Sequence, residues 1–158
     1  MTEQYLQIMI ESLEKKIQVM DKVIELDKRQ FDLSVQQPVD MAAYDATMDE
    51  KGELIDELNR LDDGFTTTYE LVKEEVQANP QNYRDKVLVM QELIRQAVEK
   101  SVTVRAQEQR NKQAIQSVLA AKRQEIRQKR VSSSAATKYY TAMSKINNVD
   151  PQLMDKKK

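Results

Sequence analysis

The residues of this sequence that are best suited to chemistry are carboxylates, and many of them lie in one segment. Twelve of the 26 acids lie between Asp40 and Glu75, together with only three bases. Adjacent acids such as Asp62 and Asp63 point to different sides of a helix, so they do not form a catalytic pair. The sequence also contains no glycine-rich phosphate loop and no nucleophile elbow. It therefore predicts no catalytic residues, and a protein that is not an enzyme.

Two residue types that carry much of protein chemistry are absent. The 158 residues include no Cys and no His. This composition excludes disulfides, thiol chemistry, Cys/His zinc sites, histidine phosphotransfer and helical di-iron sites with Glu-x-x-His ligands. We expect no metal site and no cofactor.

The C-terminal region is strongly basic. From Lys122 to Lys158 there are ten bases and three acids, whereas the whole chain has a net charge of −1. Such a charge gradient could steer partners or attract the C-terminal tail to the acidic segment. A nucleic-acid partner is not expected, because the slightly acidic chain shows no fold that reads bases.

The elements that must position these residues are long helices. Apolar residues recur three or four apart, which is the spacing of one helical face. In the first segment this apolar stripe comprises seven apolar residues and one aspartate: Leu6, Ile10, Leu13, Ile17, Met20, Ile24, Asp27 and Phe31. The pattern predicts a first helix from an N-cap at Thr2 to about Ser34, ended by Pro38.

Two further helices are predicted from the same spacing of apolar residues. The second is expected to start after an N-cap at Asp40 and to end at Ala78, before Pro80. The third is expected to run from about Asn82 to Arg130, with a stripe that weakens over residues 99–113 and resumes at Ile115. We interpret the weakening as an incomplete bundle that a partner helix could complete.

These elements define the predicted fold, an all-α, elongated antiparallel bundle of three long helices with coiled-coil-like packing. Short turns at Pro38 and Pro80 force neighbouring helices to run antiparallel. We expect one domain at 1–131 and a mobile basic tail at 132–158. Because the third helix is the longest, its residues 120–130 should extend beyond the other two.

Two residue types in these helices have specific interpretations. Gly52 and Gly64 lie within the second helix, where close approach of another helix, or a kink at Gly64, would explain them. The eight methionines could line an adaptable groove, although four of them lie on or next to the apolar stripes and are expected to fill the core: Met9, Met20, Met48 and Met90.

The sequence favours a cytoplasmic location. The N-terminus has an acid at Glu3, no basic region and no small-residue cleavage site, so it does not look like a secretory signal. No segment approaches the roughly 18 apolar residues that a membrane span needs, and we expect no membrane insertion.

Two segments resemble a known family. The run MDEKGELIDELNRLDDGF at residues 48–65 and the run NKQAIQSVLAAKRQEIRQKR at residues 111–130 are similar to segments of the FlgN-type flagellar export chaperones. The resemblance covers about residues 1–145 in layout. Relatives often carry a Tyr-Gly signature near the C-terminus, whereas here no glycine follows Tyr139 and Tyr140.

The resemblance implies a cytoplasmic, non-enzymatic chaperone of flagellar type III secretion. Such proteins bind the C-terminal helical end of hook–filament junction subunits, prevent their premature assembly and deliver them to the export apparatus. The export gate is a further partner that it implies. Carried onto this sequence, the client-binding residues are Ile115, Val118, Leu119, Ile126, Tyr139 and Tyr140.

Two alternatives stay open. The same heptad-like spacing could pair two chains in a homodimer, which would make the protein a homo-oligomeric coiled-coil structural or adaptor protein. A different secretion chaperone of similar helical build, with another client, is the second.

Overall fold

The computed structural model describes residues 1–129 and 141–143, and these residues form helices and short connections. Helix α1 spans Thr2–Ser34, helix α2 spans Met41–Ala78, and helix α3 spans Arg84–Lys129. A short 3₁₀ helix at Pro80–Tyr83 leads into α3, and residues 141–143 are helical as well. The predicted all-α fold of three long helices is confirmed.

Of the two residues predicted to cap the N-terminus of a helix, Asp40 does so and Thr2 does not. Asp40 caps α2, because its Oδ1 accepts a hydrogen bond from the backbone N–H of Ala43 at 3.0 Å. Thr2 is not a cap: it is the first helical residue of α1, and Met1 holds the capping position without a side-chain hydrogen bond.

The three helices run up, down and up, with α1 in contact with both of the others. Lys16 and Arg29 of α1 pair with Asp62 and Glu50 of α2, respectively. Later residues of α1 therefore lie beside earlier residues of α2, and the two helices are antiparallel. Lys86 and Lys100 of α3 donate to Gln7 and Asp21 of α1, each 79 residues earlier, so α3 runs parallel to α1. Apolar residues fill the space between the helices at the Pro80 end, namely Leu6, Met9, Ile10, Leu13, Val72 and Met90.

The methionines on the stripes serve as core residues, as expected. Met9 and Met20 of α1, Met48 of α2 and Met90 of α3 are all buried. Their flexible thioether side chains fit irregular gaps between helices, which suits a core with few aromatic residues.

The expectation that another helix approaches the two glycines closely is wrong. Gly52 and Gly64 lie inside α2, and a Cβ atom added at either position would meet nothing within 4 Å. The glycines therefore cost helix stability without allowing closer packing.

We expect Gly52→Ala and Gly64→Ala each to raise the free energy of unfolding by about 0.5–1 kcal/mol, since alanine lowers the entropy cost of forming the helix. Urea denaturation followed by circular dichroism measures this change. A loss of stability in either variant would mean that a neighbouring group needs the space left by the glycine.

Candidate functional site

The structure places the residues predicted to bind a client in two different environments. Ile115 and Leu119 are buried, with exposed fractions of 0% and 4%. Val118 and Ile126 are only partly buried on the same helix. Tyr139 and Tyr140 lie outside the described residues.

Ile115 and Leu119 belong to an apolar cluster at the C-terminal end of α3, called here the end cluster. Val118 and Met41, the first residue of α2, pack against this cluster. The end cluster draws one residue from the helical segment 141–143, and its members are Tyr44, Met48, Ile55, Ile115, Leu119 and Met143. Ile115 and Leu119, which were predicted to bind a client, are therefore core residues in this conformation. Met143 packs with them in the same cluster.

Helix α3 extends beyond both of its neighbours. The offset of 79 residues between α1 and α3 places Ser34, the end of α1, beside Gln113. Helix α2 begins at Met41, which packs at the level of Ile115 and Leu119. The next ten residues, 120–129, form an overhang with neither helix beside it, about 15 Å long at the rise of an α-helix.

The overhang is basic as well as partly apolar. Lys122 lies 3.7 Å from Glu125, which neutralises one charge. Arg123 and Arg127 are exposed. A partner helix with acidic residues beside its apolar face would match this charge pattern.

A layer of buried polar side chains crosses the bundle next to the end cluster, and Lys51 lies at its centre. Lys51 of α2 is only 1% exposed. Its Nζ donates to Asp27 Oδ1 at 2.7 Å, to Gln30 Oε1 at 2.5 Å and to Glu108 Oε1 at 2.9 Å. A buried ammonium of this kind needs every one of its three protons matched by an acceptor, and here each is.

Helix α3 completes the polar layer with two amides. Gln107 Nε2 donates to the backbone oxygen of Ile24 at 3.1 Å, and Asn111 Nδ2 donates to that of Asp27 at 2.9 Å. The weakened stripe of α3 therefore reflects polar packing against α1, and our interpretation of it as an open position in the bundle is wrong at Gln107 and Asn111. The polar layer comprises Asp27, Gln30, Lys51, Gln107, Glu108 and Asn111.

The electrostatics of the polar layer centre on Asp27, whose side chain is 0% exposed. Burial raises the pKa of its carboxyl from 3.8 to about 6, while the Lys51 ammonium opposes this change and the Glu108 carboxylate adds to it. The sequence carried a signal of this layer, because Asp27 occupies an apolar position of the first stripe.

A second apolar surface lies on α3 nearer the Pro80 end. Ile94, Val98 and Val102 follow one another at intervals of four residues and are 42%, 58% and 62% exposed. We call these three residues the exposed stripe. Residues four apart lie on neighbouring turns, so the three side chains form one continuous strip along the helix.

A cavity of about 90 Å³ lies between the three helices, with Lys16, Val23, Ile55 and Val104 among its lining residues. Small-molecule sites usually enclose roughly 300–1,000 Å³, so this space suits a few water molecules rather than a substrate. Across the described residues no cluster of three or more acidic side chains is arranged to hold a metal ion. Nor does any helix in the described ranges combine the length and apolar character needed to cross a membrane.

Comparisons with known proteins identify no relative: no family model matches the chain, and no curated protein or solved structure is significantly similar to it.

Proposed function

We propose that this protein is a cytoplasmic flagellar export chaperone. In this proposal it binds the C-terminal helical segment of hook–filament junction subunits, prevents their premature assembly and delivers them to the export apparatus, with the export gate as a further partner. The observation that carries the proposal is the overhang of α3, where the helix face that packs inward along the bundle continues without α1 or α2 beside it.

The geometry of the overhang suits a helical partner. Ile126 lies eleven residues after Ile115, which is close to three turns of an α-helix, so both lie on the same side of α3. Ile115 is core, whereas Ile126 is partly buried past the end of the two neighbouring helices. An amphipathic helix placed there would extend the bundle by continuing its apolar interior.

The end cluster itself supports this interpretation. Met143, from a helical segment that follows α3 in the sequence, is only 9% exposed and packs with Ile115 and Leu119. This end of the bundle therefore accepts an apolar side chain from an added helix. A client helix would either replace this contact or pack beside it on Val118 and Ile126.

The proposal is tested by mixing the full chain with hook–filament junction subunits from the same genome. Size-exclusion chromatography with light scattering should show a complex that is lost when the subunit lacks its C-terminal helical segment. The failure of every intact subunit to form a complex would contradict the proposal.

The exposed stripe favours a second candidate, a homo-oligomeric coiled-coil structural or adaptor protein. Exposed apolar residues at spacing four are what a paired helix buries. In the same experiment this candidate predicts the mass of a dimer for the protein alone, and Val98→Asp should reduce that mass to one chain.

A further inference from the structure

The polar layer lacks hydrogen-bond donors. Three buried oxygens have no donor within the part of the chain that the structure describes, namely Asp27 Oδ2, Gln107 Oε1 and Asn111 Oδ1. All three belong to side chains that are at most 8% exposed. A buried acceptor without a donor is costly, so an added hydrogen-bond donor would stabilise the polar layer.

The polar layer also lacks positive charge. The charged groups facing Asp27 are Lys51 from α2 and Glu108 from α3, whereas the neighbouring Arg29 is directed away to Glu50. With both carboxyls ionised, the layer carries one positive and two negative charges in a setting with little water. One added proton would remove this imbalance.

We propose that Asp27 is a proton-binding site that fastens α3 to α1 in mildly acidic solution. A proton on Oδ2 neutralises the surplus charge and turns an unsatisfied acceptor into a donor. Gln107 and Asn111 lie one turn apart on α3, and both already contact the α1 backbone around Asp27. The Glu108 carboxylate of α3 is placed to accept a hydrogen bond from the protonated Asp27 carboxyl, an interaction that itself helps to raise the pKa of Asp27. This inference does not depend on the proposed function.

Whether stability rises or falls with pH depends on which state, folded or unfolded, binds the proton more tightly. In the unfolded chain the carboxyl has a pKa of about 3.9, and burial raises it to about 6 in the folded protein. Folding therefore takes up a proton between these values, and the stabilisation is lost as the pH rises through the folded pKa. The layer holds α3 most firmly in mildly acidic solution and less firmly above neutral pH.

The test compares the full chain with Asp27→Asn, whose amide is neutral and can donate at every pH. Between pH 4.5 and 7.5, the unfolding equilibrium constant of the original protein should rise roughly 20-fold relative to that of the variant. Urea denaturation at several pH values provides this ratio. A ratio that stays constant across the range would overturn the proposal.

A direct measurement needs no variant. Carbon-13 NMR of the Asp27 carboxyl in the original protein should give a titration midpoint above 5. Amide hydrogen exchange at Gln107 and Asn111, corrected for its intrinsic pH dependence, should speed up over the same pH interval. A midpoint below 5 would show that the Asp27 carboxyl stays ionised in mildly acidic solution, and would overturn the proposal even if Asp27→Asn fails to fold.

Discussion

Replacement of Lys51 by methionine is expected to lower the free energy of unfolding by about 3–5 kcal/mol. The change removes the ammonium that bonds to Asp27, Gln30 and Glu108, and it leaves the fully buried Asp27 carboxyl without a counter-charge. Methionine has a similar volume, so the loss reflects charge rather than a cavity. Urea denaturation followed by circular dichroism measures it.

The matched control is Lys16→Met on α1. Lys16 makes an ion pair of the same length, 2.7 Å, with the exposed Asp62. Because exposed pairs are worth about 0–1 kcal/mol, this change should have little effect. Adding Asp27→Asn to Lys51→Met should recover part of the lost stability, since it removes the unpaired charge. Equal effects of the two lysine changes would contradict our account of the polar layer.

The second large effect concerns binding. Ile126→Asp is expected to weaken the complex with a junction subunit by roughly 30-fold or more, the size of effect seen when a central apolar contact is lost. Ile126 lies on the overhang, so the free protein should keep its helix content. Isothermal titration calorimetry measures the affinity, and circular dichroism checks the fold.

Val98→Asp is the matched control for this variant, because it places the same charge on the same helix within the exposed stripe. We expect it to leave client binding unchanged. Leu119→Asp is unsuitable as a test of binding, since Leu119 is 4% exposed and its loss would unfold the end cluster. If Val98→Asp weakens client binding and Ile126→Asp does not, the client site lies on the exposed stripe instead.

Much of the fold was accessible from the sequence because long helices leave a periodic pattern. The spacing of apolar residues, Asp40 as a cap and Pro38 and Pro80 as helix ends located all three helices within a few residues. The role of the glycines was not accessible, because the sequence does not show whether a glycine faces another helix or open space. In the structure both face open space.

The site was harder to predict for a physical reason. Apolar spacing identifies the side of α3 that packs inward, but it does not show where the neighbouring helices end. Ile115 and Leu119 therefore looked equivalent to Ile126, whereas only the first two are core. The polar layer was missed because Asp27, Lys51 and Asn111 lie far apart in the sequence, and only the helix register brings them together.

Amide hydrogen exchange is the most direct test of the proposed client site. It would be measured on the full chain, alone and with a peptide covering the C-terminal helical segment of a junction subunit. Our account predicts that the peptide slows exchange in residues 115–129, around Val118 and Ile126. Slowed exchange confined to residues 94–102, or unchanged exchange throughout α3 at saturating peptide, would contradict it.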